Sequence, residues 1–249
     1  MTQESGFLSC QPVPQLADFV ESFWMLTNRS ADDKPVIILP DGRIDLSVSS
    51  LHPTYFALLG LESQPGKALI QANECILAVS FRPLAIEYIF GKQATVLANT
   101  FYAVPTIDFG FPPNAVPDFE TFVNRLTGQL ISRLPAAIDP RKKRLFDLLF
   151  SSGGSVKVAA LASEIGWSQR QINRYFNEHF GLSLKTYCDI LRFRASFGQL
   201  KEGRLFPEQH FTDQSHFIRE VRKYAGVPPK ELARNKNDHF IQFSVLPDP

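Results

Sequence analysis

Apolar residues recur along this chain with two different periods. In the first half, short β-rich runs are separated by turn residues. "KPVIILPDGRIDLSVSS" holds two such runs around Pro40-Asp41-Gly42, where Pro presets φ and Gly tolerates the reversal. "TYFALLGL" and "CILAVSF" read as further strands. "PQLADFVESFW" opens as a short helix, and "RPLAIEYIFG" reads as a helix closed by Gly91. The pattern predicts an α+β domain over residues 1–112, with a mixed or antiparallel sheet. A Pro-rich loop, "GFPPNAVPD", leads into a linker over residues 113–139. Within it Asp118 can cap a helix running through Leu134. Its stripe of Phe119, Val123, Leu126, Leu130 and Leu134 can face the same chain or a second subunit.

From residue 140 the helical period takes over, predicting an all-α domain to residue 249 apart from the tail "DHFIQFSVL", which reads as a late strand. Val158, Leu161, Ala162 and Ile165 share one helical stripe, and Gly166 ends that helix in a tight turn. Ser168 can cap the next helix, in which Ile172, Phe176 and Phe180 repeat every four residues and must face a core. Ala162 is small where a second helix has to cross closely. A small crossing residue, a Gly turn and an apolar residue inside the second helix meet the geometric needs of a helix-turn-helix. The opposite face carries Arg170, Asn173, Arg174 and Asn177. Arg can grip guanine O6 and N7, and Asn can pair with adenine N6 and N7. The plain alternative is a helical hairpin with a solvated face.

A partial repeat weighs against that alternative. A shift of 45 residues sends Ser168 to Asp213, Ile172 to Phe217, Arg174 to Arg219, Phe176 to Val221, Gly181 to Gly226 and Lys185 to Lys230. The outward face of this second helix holds Ser215, Ile218, Arg219 and Arg222. Two equivalent helices, each with a central Arg, point to a pair of reading elements.

Charge sharpens the division. The net formal charge is +1, yet residues 1–139 hold 8 basic and 14 acidic side chains while residues 140–249 hold 18 and 11. A basic half joined to an acidic half fits a nucleic-acid module attached to something else. The three cysteines, Cys10, Cys75 and Cys188, are scattered and form no zinc pattern. The start "MTQESGFLSC" lacks a secretory pattern, and runs such as "PVIIL" are too short to span a bilayer, so a soluble cytoplasmic protein without membrane contact is expected. No nucleophile elbow, metalloprotease motif, P-loop or dinucleotide fingerprint occurs, which argues against an enzyme and against a cofactor.

Residues 141–235 resemble the DNA-binding domain of the AraC/XylS family of bacterial transcription regulators. The matching residues are Leu161-Ala162, Gly166, Ser168, Ile172-x-Arg174-x-Phe176, Gly181, Tyr187, Arg192 and the string "DQSHFIREVRKYAGVPPKEL". The resemblance implies two helix-turn-helix units joined by a long helix, here Ser183 to Lys201, with each second helix in the major groove of double-stranded DNA and RNA polymerase as an indirect partner. By position it implies base reading by Arg170, Asn173, Arg174, Ser215, Ile218 and Arg219. Phosphate contacts fall to Ser168, Gln169, Asn177, Lys185, Gln214, Arg222 and Lys230, with Arg141, Lys142 and Lys143 as further basic candidates. This chain departs from the family in "KEGRLFPEQHFTDQ", which is shorter by about one helical turn, contains Pro207 and has His210 where a Gly is expected. The second unit therefore lacks much of its supporting helix, and its base reading stays open.

The acidic half resembles, through "PxPxLxxFVESFW", "LPDGRIDL" and "SFRP", an uncharacterised N-terminal domain often fused to AraC-type readers. That implies a role in sensing a small-molecule effector or in forming a homodimer. Trp24, Arg43, Asp45 and Arg82 are the candidates for an effector pocket; the alternative makes Trp24 core and the others structural ion partners. A competing reading of the whole chain is a protein-interaction or ligand-binding module with a repurposed helix-turn-helix. Ile218 and Glu220 favour that reading. Arg170, Asn173, Arg174 and Arg219, polar and without carboxylates to pair them, oppose it.

Overall fold

The computed structural model describes residues 5–91, 98–206 and 211–244. Its first half is built on a six-stranded sheet with the order β1-β2-β7-β4-β5-β8. These strands are β1 (Ser5–Cys10), β2 (Val20–Asn28), β4 (Ile44–Ser49), β5 (His52–Leu59), β7 (Cys75–Phe81) and β8 (Phe101–Pro105). Every pairing in the sheet is antiparallel. A second sheet of two strands, β3 (Lys34–Ile38) and β6 (Gly66–Ile70), is also antiparallel. The two β-runs around Pro40-Asp41-Gly42 are thus both strands, but they belong to different sheets. Gly42, at φ +76°, redirects the chain from one to the other instead of closing a hairpin.

"PQLADFVESFW" opens with one 3-10 turn, Pro14–Leu16, and continues as β2. The expected helix ahead of Gly91 is α1 (Leu84–Tyr88), and Gly91 has φ +68°. Alternation on β4 sends Ile44, Leu46 and Val48 into the core and leaves Arg43, Asp45 and Ser47 on the other face. On the core face lies α2 (Phe119–Ile131), capped by Asp118 through the backbone N–H of Thr121. Phe122, Leu126 and Leu130 of α2 are fully buried, and the Phe122 ring touches Phe23, Phe56 and Phe111. Burial of each such side chain is worth about 1.5–3 kcal/mol relative to exposure. The stripe of this helix thus faces its own chain and is centred on Phe122, with Phe119, Val123 and Leu134 half-buried at its margins.

The second half is helical: α3 (Pro140–Ser151), α4 (Val158–Ile165), α5 (Gln169–Phe180), α6 (Leu184–Ala195), α7 (Phe197–Lys201), α8 (Gln214–Ala225), α9 (Pro229–Arg234) and the single turn α10 (Ile241–Ser244). Two expectations are corrected. The connector from Ser183 to Lys201 is not one helix: it breaks at Ser196, whose hydroxyl bonds the Phe193 carbonyl, into α6 and α7. The described part of the tail is not a strand either. Phe240 makes one parallel bridge to Ile37, after which the chain turns helical. Between Lys201 and Asp213 the described residues form no helix; Pro207 and His210 lie outside the described residues. Buried side chains from both halves form one contiguous core.

Candidate nucleic-acid interface and effector cavity

The first of the two repeated helices, α5, is set by its caps. Gly166 closes α4 at φ +66°, and a Cβ there would meet nothing within 4 Å, so the residue is needed for its backbone angle and not for space. Ser168 and Gln171 form a capping box: the Ser168 hydroxyl accepts from the Gln171 N–H at 3.2 Å, and the Gln171 side chain accepts from the Ser168 N–H at 2.8 Å. Ile172, Tyr175, Phe176 and Phe180 are buried, which turns Gln169, Arg170, Arg174 and Asn177 to solvent. Asn173 is half-buried and its amide donates to the Gln169 carbonyl at 3.0 Å. Arg174 does have a carboxylate beside it, Glu178 at 3.8 Å, contrary to expectation. Both groups are mostly exposed, at 69% and 62%, so the pair is weak and leaves the guanidinium accessible.

The second helix, α8, repeats the design with Asp213 as the cap, accepting from the His216 N–H at 2.8 Å. Phe217, Val221 and Tyr224 are buried, while Gln214, Ser215, Arg219 and Arg222 are exposed and Ile218 is half-buried. Lys185 and Lys230 are exposed near the starts of α6 and α9. The other basic candidates are engaged. Lys142 pairs with Glu87 of α1, which also accepts from the Tyr175 hydroxyl at 3.1 Å. Lys143 pairs with Asp18 at 2.5 Å and Asp147 at 3.6 Å, and Arg141 with Asp139 at 2.8 Å. Lys142 and Lys143 thus fasten the helical half to the sheet half. Burial and the Glu87 carboxylate push the Tyr175 hydroxyl well above the ordinary phenol range.

The face of the large sheet that points away from α2 meets β3, β6, α7 and α10 around a cavity of about 450 Å³, a size suited to a small ligand. Register sorts its sheet wall into rows. Ser22, Ser80 and Asp45 stand side by side, then Ser9, Trp24, Ala78 and Ser47, then Phe7, Leu26 and Ile76. The wall therefore grades from polar to apolar along the strands. Three of the four pocket candidates meet here. The Trp24 indole donates to the Ser80 hydroxyl at 3.0 Å, and that hydroxyl donates to Asp45. Arg43 donates to Asp41 through Nε at 2.7 Å and lies 3.5 Å from Glu21. Arg82 is not brought to the cavity: β7 ends at Phe81, and the Arg82 guanidinium lies over the Phe150 ring at 5.5 Å.

Residues that no motif singled out complete the site. Arg194 of α6 grips both oxygens of Glu21, one at 3.1 Å. Gln242 of α10 accepts from the Leu39 N–H at 2.8 Å, and Phe197 and Gly198 of α7 close the wall. Burial opposes ionisation of Glu21, but Arg194 and then Arg43 overcome it and hold its carboxyl below the usual range. Asp41 is likewise held low by Arg43 against the effect of burial. Burial pushes Asp45 up to about 6 despite Arg43. In the small recess alongside, burial followed by repulsion from Asp41 and Asp45 raises Glu62 to about 7.

Residues 161–235 match a helix-turn-helix domain family, and residues 8–103 match a domain of unknown function, DUF6597. The C-terminal part of the chain is thus an AraC-type helix-turn-helix domain, set behind an N-terminal domain of unknown function. Among solved structures the chain is similar to ToxT from Vibrio cholerae O395, at 13% identity over 92% of this chain and 96% of that one, with a TM-score of 0.42. The same protein bound to (E)-4-(8-methylnaphthalen-1-yl)but-3-enoic acid gives 14% identity over 92% and 97%, with a TM-score of 0.42. No curated protein sequence matches the chain. Among the described residues no helix is long and apolar enough to cross a membrane.

Proposed function

We propose that this chain is a sequence-specific transcription regulator in which α5 and α8 enter the major groove of double-stranded DNA and an effector in the cavity adjusts their placement. One observation carries the reading: the two reading helices expose matching cationic faces, and the segment between them, α6 and α7, also walls the cavity. The contacts that would transmit occupancy are short. Phe197 meets Phe193 at 4.9 Å, and Phe193 stacks on Tyr224 of α8 at 5.4 Å. Toward α5, Tyr187 donates to the Gly42 carbonyl at 3.1 Å, next to Arg43, and packs on Phe176 at 5.4 Å. Arg170, Asn173 and Arg174 read bases, with Ser215 and Arg219 in the second unit. Gln169, Asn177, Lys185, Gln214, Arg222 and Lys230 hold the phosphates.

Selection of the full chain against a random duplex library tests the proposal. Two conserved blocks roughly 10 bp apart indicate that both units read bases. A single block indicates that α8 holds phosphate only. Failure to enrich any sequence overturns the reading.

A further inference from the structure

The cavity also constrains what can fill it. Both guanidinium groups facing it are already occupied: Arg43 by Asp41 and Glu21, Arg194 by both oxygens of Glu21. Set against these two cations are three carboxylates, Glu21, Asp41 and Asp45, with Glu62 in the adjoining recess. Asp45 is the carboxylate left over. One of its oxygens accepts from Ser80, and among the described residues the other has no hydrogen-bond partner. The Trp24 N–H is no longer available, being donated to Ser80, and the neutral donors on the lining are the amides of Gln11 and Gln242 and the hydroxyls of Ser9, Ser22 and Ser47. Away from Asp45 the middle row mixes Ser9 and Ser47 with Trp24 and Ala78, and the far row is apolar, Phe7, Leu26 and Ile76, with Ala68 and Ile70 of β6 opposite.

Resting on the reading of this cavity as an effector site, we propose that its ligand is a cationic amphiphile: an ammonium head on the free oxygen of Asp45 and an apolar body along Phe7, Leu26 and Ile76. An incoming carboxylate would add a further anion beside Glu21, Asp41 and Asp45, where the two cations are already paired, and would compete with Glu21 and Asp41 for them. An ammonium head instead supplies the missing charge and donates where an acceptor is open. The apolar body then removes the lining of the far rows from water.

Octylamine, octanol and octanoate share one chain and differ only in the head, and they serve as probes with the full-length protein. The chain has 2 tryptophans, so a Trp167→Phe background leaves Trp24 in the cavity wall as the reporter of occupancy. Octylamine is expected to change Trp24 emission with at least about tenfold higher affinity than octanol or octanoate. Asp45→Asn should remove that advantage, so that octylamine binds no more tightly than octanol to the same variant. Ser47→Leu, which fills the middle row without touching Asp45, should weaken all three. Octanoate binding as tightly as octylamine, or an amine preference that survives Asp45→Asn, overturns the cationic assignment and leaves the effector reading standing. No response to any of the three probes overturns both.

Discussion

Glycine-to-alanine substitution at two positions separates backbone strain from steric clash within the helical half. Gly166 and Gly154 both sit in the left-handed region, at φ +66° and +75°. Alanine at either position pays the same conformational penalty, about 1–2 kcal/mol. Their surroundings differ. A Cβ at Gly166 meets nothing within 4 Å, whereas one at Gly154 would lie 2.3 Å from the Cys188 carbonyl oxygen and 2.9 Å from Leu191 Cβ. Both neighbours belong to α6 and are buried, and a backbone carbonyl inside a helix cannot swing aside as a side-chain tip can. Overpacking of this kind adds roughly 1–3 kcal/mol. Gly154→Ala should therefore lower the melting temperature more than Gly166→Ala, by roughly 2–12 °C for a chain of this size. Thermal unfolding followed by circular dichroism measures both variants directly. Equal losses would refute the close approach of the α3–α4 turn to α6, and with it the packing that sets the first helix pair on α6.

Four further outcomes are expected. Arg174→Ala should lose about 1–3 kcal/mol on the selected DNA site and relax one base position, with little change in stability because its ion pair to Glu178 is exposed; equal loss on all sequences would reduce it to a phosphate contact. Glu87→Gln should destabilise the chain by about 1–3 kcal/mol in denaturant titration, since it loosens both Lys142 and the Tyr175 hydroxyl; an unchanged midpoint would contradict that anchor. Tyr187→Phe should cost about 1–2 kcal/mol by the same measure, because the Gly42 carbonyl is left without its donor. Octylamine affinity should fall about tenfold between pH 7 and pH 5 as Asp45, raised to about 6, takes up a proton and ceases to attract a cation. The other charged groups around Asp45 are Glu21, Asp41, Arg43, Glu62 and Arg194; Glu62, raised to about 7, changes in the same direction, so the dependence should vanish in Asp45→Asn only if Asp45 is the site.

Helices α5 and α8 were legible because their determinants are local. Ser168, Gln171 and the Ile172, Phe176, Phe180 stripe lie within one segment, and capping and period together fix which face is buried. The same holds for Asp213 and the Phe217, Val221 pair of α8. Trp24, Arg43 and Asp45 could be picked as polar or amphipathic residues in strand runs, and alternation alone places Arg43 and Asp45 on one face of β4. Arg82 follows Ser80 at the same parity, yet β7 stops at Phe81 and the chain turns into α1, a boundary that period does not reveal.

The sequence by itself determined the central strands β2 to β5 and β7 in outline, the main helices, their caps, and the polar faces of α5 and α8, since each depends on residues a few positions apart; it misread the tail and did not reveal β1, β6 or β8. Only the tertiary structure decided that the Pro40-Asp41-Gly42 segment docks on Tyr187, that Lys142 and Lys143 hold the sheet half instead of standing free, and that Glu21 meets Arg194 across 173 residues. These are pairings between surfaces formed by different elements. Their geometry comes from how a sheet and a helical bundle share one core, and no local pattern of apolar and polar positions encodes which surfaces will meet.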